Sequence, residues 1–186
     1  MRTIRATRKR PMTAREFAKR YVDVPFCELE RGEVIHLSAG GLAHSRCTGN
    51  AYFLLEQWSR QTGLGRAFTG ETGLITEHDP DTVRGADVAY FSYQRLPTER
   101  RPPGFSTVPA DLVVEVVGKG QGWDRLVEKA REYLRMGVDR VWILDPQRRT
   151  MHVVQGEAEP MPVQDEVRDE AILPGFRCHV AEFFRD

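Results

Sequence analysis

The chain has 186 residues, 40% of them hydrophobic and 29% charged, a composition that suits one folded domain with a real core. No apolar run approaches the ~20 residues of a membrane span, and no apolar signal core follows the basic start, so a cytoplasmic protein with no membrane partner is expected. Cys27, Cys47 and Cys178 are odd in number and widely spaced, which argues against a disulfide framework and against a zinc site of paired cysteines.

Net charge is zero but unevenly spread. Residues 1–12 carry Arg2, Arg5, Arg8, Lys9 and Arg10 with no acid, leaving 22 bases against 27 acids in the remainder. This reads as a basic, flexible N-terminal arm on a single domain over residues 13–186. Such an arm can touch phosphates, and the same composition also makes a solvated tail. An acidic body argues against tight, static DNA binding as the main task. It does not argue against an enzyme that gathers carboxylates around a metal.

In chain order, Thr13 to Tyr21 reads as a short helix, with Thr13 and Glu16 as a capping box and Phe17 and Tyr21 on one side. Phe26 to Leu37 reads as a hairpin turning at Arg31-Gly32. Its acids Glu28 and Glu30 alternate with Cys27 and Leu29, a pattern that ordinarily faces acids to solvent. After the Gly40-Gly41 loop, His44 opens a helix to Thr62 with Cys47, Ala51, Leu54, Leu55 and Trp58 as its buried stripe. Strands follow over Arg66–Ile75 and Ala86–Phe91, separated by an acidic turn, with Asp87 early in the second. Gln94 to Pro109 is a surface loop rich in Pro and Arg, holding Arg95, Arg100 and Arg101.

The most informative stretch is Pro109 to Asp145, which reads as strand, glycine-rich loop, helix, strand. Leu112 to Val117 is a β-branched run of the kind covered on both faces of a sheet, except for Glu115 at its centre. A buried carboxylate needs a partner, a metal or a proton. In the following helix Leu126, Ala130, Tyr133, Leu134 and Gly137 fall on one face at 100° per residue, with Glu128, Arg131, Glu132 and Arg135 opposite. Lys129 lies with the apolar set and points toward the sheet, where Glu115 can meet it. In a chain with 23 Arg and four Lys, an inward lysine stands out. A structural ion pair and a functional one both fit. Thr150–Val154 reads as a strand, residues 155–170 as a polar acidic loop, and LPGFRCHVAEFF as a segment packing back on the core.

Several chemistries lack their motifs. Gly118-Lys119-Gly120-Gln121-Gly122 has neither the spacing nor the order of a phosphate loop. No GxSxG elbow and no HExxH helix is present. Asp87 and Glu115 on neighbouring strands remain, with Lys129 beside them. Two carboxylates can hold Mg²⁺ or Mn²⁺ through hard oxygen ligands, and a lysine can orient water or offset charge on a phosphorane-like transition state.

The segments CELERGEVIHLSAGGLAHSR, VRGADVAYFS and PADLVVEVVGKGQGWDRLVEKAREYLRMGVDRVWILDPQRRT resemble the Uma-two family of restriction endonucleases, within the PD-(D/E)XK nuclease superfamily. The resemblance runs from about Thr13 to the LPGFR segment. It implies a mixed central β-sheet flanked by helices, an α/β restriction-endonuclease-like fold. It also implies a Mg²⁺- or Mn²⁺-dependent endonuclease acting on nucleic acid, with DNA as substrate and a homodimer as the working form. A catalytically silent nucleic-acid-binding or interaction module on the same scaffold is the alternative. By resemblance Asp87 takes the place of the motif aspartate and Glu115 that of the motif glutamate, both as metal ligands. The plain pattern puts its lysine where this chain has Val117. The family supplies it from the next helix, which matches Lys129. Glu28 matches the first glutamate of an ELxxGE segment and supports the metal site. Glu33 and His44 match recurring family residues. Many relatives read SP(S/N) after the glutamate strand where this chain has Gly118-Lys119-Gly120, so Lys119 is a second candidate cation.

Overall fold

The computed structural model describes residues 10–100 and 104–186. Most of the basic arm, and Arg101, therefore lie outside the described residues. Where the description begins, the chain is already tied down: Met12 N–H donates to Gly32 O at 2.9 Å, and Arg10 pairs with Glu16.

Helix α1 (Ala14–Tyr21) starts at a capping box, in which Thr13 and Glu16 satisfy each other's backbone donors. Strands β1 (Cys27–Glu30) and β2 (Glu33–His36) form the hairpin, turning through Arg31 and Gly32 at φ +49° and +81°. The side chain is absent at Gly32 for a second reason, since a β-carbon there would lie 2.4 Å from that of Pro11. Helix α2 (Leu42–Thr62) buries Cys47, Ala51, Leu55 and Trp58 and stops at the left-handed Gly63. Strands β3 (Gly65–Glu77) and β4 (Thr82–Ser92) pair antiparallel along their length. Then come β5 (Leu112–Val116), α3 (Trp123–Met136) and β6 (Arg140–Asp145), with β5 and β6 parallel, as a crossover helix requires. Strands β7 (Thr150–Val154) and β8 (Met161–Val163) extend the sheet, while β9 (Glu166–Asp169) and β10 (Leu173–His179) make a separate pair before a final 3-10 turn, Val180–Phe184.

The main sheet runs β2-β1-β4-β5-β6-β7-β8, with β3 on the other edge of β4. On one face Val88, Val114, Val116 and Trp142 pack under α2, β10 and the last turn. On the other, Val113, Val141 and Ile143 pack under α3 through Leu126, Ala130 and Tyr133. Burying side chains of this size stabilises by about 1.5–3 kcal/mol each, which is why the β-branched run of β5 sits at the centre. The third group, Phe17, Leu29 and Val83, holds α1 against β1 and β4.

Three local expectations are corrected. Residues 155–170 are not all loop, because Val167 is buried in β9 within an otherwise acidic stretch. Strand β4 begins at Thr82 rather than Ala86, so Asp87 lies at its middle. Its hidden first half contains Arg84 and Gly85, residues that do not advertise a strand. Glu132 is buried rather than on the outer face of α3, because Arg84 and Thr76 meet it.

Candidate active site

The site is a fork in the sheet. With β3 on one edge of β4, both β1 and β5 take the other, β1 pairing at Val83 and β5 at Val88–Tyr90. Arg84 to Asp87 have no strand partner on that edge among the described residues. A buried backbone N–H or C=O left there would be costly, and side chains replace the missing strand. Gly85 N–H donates to Glu28 Oε1 at 3.1 Å, and Lys129 Nζ donates to Gly85 O at 3.0 Å. Where β5 diverges, Val116 N–H donates to Asp87 Oδ2 at 2.8 Å.

Lys129 reaches into the fork from α3. Its ammonium is 3.0 Å from Glu115 Oε2 and 3.0 Å from Glu28 Oε1. With Gly85 O these make one acceptor for each N–H of the ammonium group. Tyr133, one turn on, donates its hydroxyl to Glu115 Oε1 at 2.8 Å, so both oxygens of Glu115 are engaged. Asp87 and Glu115 follow directly on the last β4–β5 pair, Val88↔Val114, and the charge of Asp87 acts on Glu115. His44, in the first turn of α2, brings Nε2 to 3.5 Å from Asp87 Oδ1.

The electrostatics follow from burial. Glu115 is pushed up to about 8, mainly by loss of solvent; Lys129 opposes this, and Asp87 and Glu28 add to it. Burial would also raise Glu28, but Lys129 and Arg84 outweigh it and hold that carboxyl below its usual range. Burial works against the charge on Lys129, yet Glu115 and Glu28 more than compensate and its pKa rises, so the ammonium stays charged at neutral pH. The Asp87 contact raises His44.

A buried arginine braces the fork from behind. Arg84 bonds Glu28 Oε2 at 3.0 Å, Glu30 Oε2 at 3.1 Å and Glu132 Oε2 at 2.8 Å. Glu28 thus faces inward, not to solvent as hairpin alternation suggests. Opposite Asp87, strand β3 bulges: Thr69 pairs Val88 and Thr72 pairs Ala86, leaving Gly70 and Glu71 against one residue. The carboxylate of Glu71 lies so close to Gly85 that a β-carbon there would sit 2.4 Å from its Oε2. Burial and the nearby Asp87 push the Glu71 carboxyl up, and Lys129 opposes them.

The fork therefore brings together Glu28, Asp87, Glu115, Lys129 and His44. It does not include Glu33 or Lys119, both exposed and without a side-chain hydrogen bond or ion pair among the described residues. Sequence reasoning missed Glu71, Arg84, Glu132 and the hydroxyl of Tyr133. Only Tyr133 gave a signal, lying one turn from Lys129 on the same helical face.

The donors suit a hard divalent cation, since Glu28, Glu71, Asp87 and Glu115 offer carboxylate oxygens. Burial is the main cause of the upward push on Glu71 and Glu115, and the Lys129 ammonium opposes it at both. Among the described residues no three His, Cys, Asp or Glu side chains are arranged to hold a metal ion. The chemistry of the donors fits, while their arrangement here is set by Lys129, Arg84 and Tyr133. No helix among the described residues is long and apolar enough to cross a membrane.

Among solved structures, the chain is similar to a "putative nuclease belonging to DUF820" from Anabaena variabilis ATCC 29413. The TM-score is 0.79 at 20% sequence identity, over 94% of this chain and 98% of that one. At that identity the likeness speaks for the fold, which is the mixed α/β, restriction-endonuclease-like one. No curated protein matches the chain. Residues 16–181 match the Uma2 family, described as "Putative restriction endonuclease", and the chain belongs to that family.

Proposed function

We propose that the protein is a divalent-metal-dependent endonuclease that hydrolyses phosphodiester bonds of DNA, with the fork between β1 and β5 as its active site. Membership of a family described as restriction endonucleases supports nuclease chemistry. The observation that carries the finer reading is the meeting of Glu28, Glu115 and the Lys129 ammonium at 3.0 Å, with Asp87 alongside. Asp87 and Glu115 would hold Mg²⁺ or Mn²⁺. A cation bound there polarises the phosphoryl oxygen and lowers the pKa of water.

The remaining roles belong to the chain's own side chains. Lys129 is a fixed positive charge rather than a general base, because it stays protonated and its donors are already engaged. It offsets charge that builds on the phosphoryl oxygens. Glu28 positions Lys129 and is itself held by Arg84. Tyr133 fixes the orientation of Glu115. A homodimer in which each subunit cuts one strand fits the reading by analogy with other nucleases of this fold.

Supercoiled plasmid incubated with Mg²⁺ or Mn²⁺ tests the reading. Nicked or linear product that disappears with EDTA and in Asp87→Asn supports it. Salt-sensitive DNA binding with no turnover in any metal overturns it in favour of a silent binding module. That outcome would match a Glu115 whose two oxygens are already engaged by Lys129 and Tyr133.

A further inference from the structure

We infer that the cleft between the start of α2 and the β6–β7 turn is a phosphodiester subsite, in which Arg46 and Arg149 hold the DNA backbone beside the fork. The inference rests on the DNA-cleavage reading above and names a place where the body itself meets the substrate. The cleft has a volume of about 600 Å³. Ser45 and Arg46 line it from α2, and Arg149 lines it from the turn after β6. Its walls are held by specific contacts. Asn50 Nδ2 donates to Phe183 O at 3.2 Å and to Arg185 O at 2.7 Å, which fixes the segment after β10 against α2. Arg149 lays its guanidinium over the Phe184 ring, 5.8 Å from the centroid, and donates to Phe184 O at 2.9 Å. A guanidinium carries five N–H donors, so most of them stay available to an anion.

The position of the cleft ties it to the fork. His44, in the same turn as Ser45 and Arg46, stands 3.5 Å from Asp87. Cys47 lines the cleft, and the charges of Asp87 and Asp145 add to the burial that pushes its thiol up to about 12. Strand β6 runs parallel to β5 with Glu115 paired to Ile143, so the turn that carries Arg149 leaves the sheet at the end where Glu115 stands. Open sheets commonly take their ligands at that carboxyl end. A strand lying in the fork continues past the scissile bond, and its neighbouring phosphates must meet the body there. Arg46 is exposed and takes part in no hydrogen bond or ion pair among the described residues, whereas Arg60 on the same helix is paired with Glu56. Guanidinium groups match phosphate with two parallel N–H donors. Asp186, the acid on the cleft wall, is exposed, where solvent and salt screen it.

Binding of a labelled DNA duplex to the full-length protein in EDTA, followed by fluorescence anisotropy at several salt concentrations, tests this without reference to metal or turnover. The variants are Arg46→Gln, Arg149→Gln and, as control, Arg60→Gln, which removes the same charge about four turns along α2. Arg46→Gln and Arg149→Gln are each expected to lower the salt slope by about 0.9, one phosphate contact apiece, and to weaken binding severalfold. Arg60→Gln is expected to keep the parent's slope. Because Arg46 is exposed, Arg46→Gln is expected to keep the parent's midpoint in urea, so that its loss of affinity reads as a lost contact and not as a lost fold. A parent-like slope in either cleft variant overturns the inference while leaving the cleavage reading standing, and so does an equal fall in Arg60→Gln, which would mean diffuse attraction without a subsite. Absence of DNA binding by the parent overturns the inference, and the plasmid assay above then decides the cleavage reading by itself.

Discussion

Lys129 and Glu115 depend on each other because neither charge is stable alone at this depth. Removing one partner of a buried pair leaves an uncompensated charge and costs about 3–5 kcal/mol. Lys129→Met is therefore expected to destabilise the protein by about that much in urea unfolding at pH 8.5, and by less at pH 6, where Glu115 can take up a proton. An equal loss at both pH values would contradict the coupling. The same carboxyl sets a pH dependence in the parent. Its folded pKa is raised from 4.5 to about 8, so the folded state binds the proton more tightly. The stability this contributes is full below about 4.5 and is lost as pH rises through about 8. In EDTA the melting temperature should fall between pH 5 and pH 9, and Glu115→Gln should flatten that fall. Glu115 and Lys129 were legible in the sequence because each violates a pattern: an acid in a β-branched run, a lysine in an apolar helical stripe. Arg84, Glu132 and Glu71 were not. Each is an ordinary charged residue whose surroundings depend on partners far away in the chain, such as Arg84 on Glu132 and Glu28.

Among elements, the strand order around β4 decides where the charged side chains of the fork gather. Because β1 and β5 share one edge and leave Arg84–Asp87 without a strand partner, the backbone there recruits Glu28 and Lys129. The order was not legible, since periodicity reports which residues form strands and not which strands pair. Elements with clean periodicity or sharp stops were legible, as with α3 ending at Gly137 and the hairpin turning at Arg31-Gly32. The strands within 155–170 were not, because their acidic composition outweighed single apolar residues such as Val167. Helix α1 offers a control outside the fork. Thr13→Ala removes its cap, and urea unfolding should record a loss of about 1 kcal/mol while Mn²⁺ binding stays unchanged. A loss of binding would mean that the fork depends on α1 more than its packing on Leu29 and Val83 suggests.

At the scale of the whole molecule, the charge separation seen in the sequence bears on substrate approach. The body carries an excess of acids, and residues 1–9 carry Arg2, Arg5, Arg8 and Lys9. Deleting residues 1–9 is expected to weaken DNA binding and to lower its salt slope by about 0.9 for each phosphate no longer neutralised, as read by titration at several salt concentrations. An unchanged slope would assign phosphate binding to the body instead. The proposed cleavage of DNA at the fork requires Asp87, Glu115 and Lys129. Single-turnover cleavage of supercoiled plasmid in Mg²⁺, using Glu115→Gln and Lys129→Met preparations shown to be folded, tests it most directly. The parent and Glu128→Gln are expected to cleave, with a fall of about two orders of magnitude or more in both fork variants, as when a group stabilising transition-state charge is removed. Parent-like cleavage by either fork variant would contradict it.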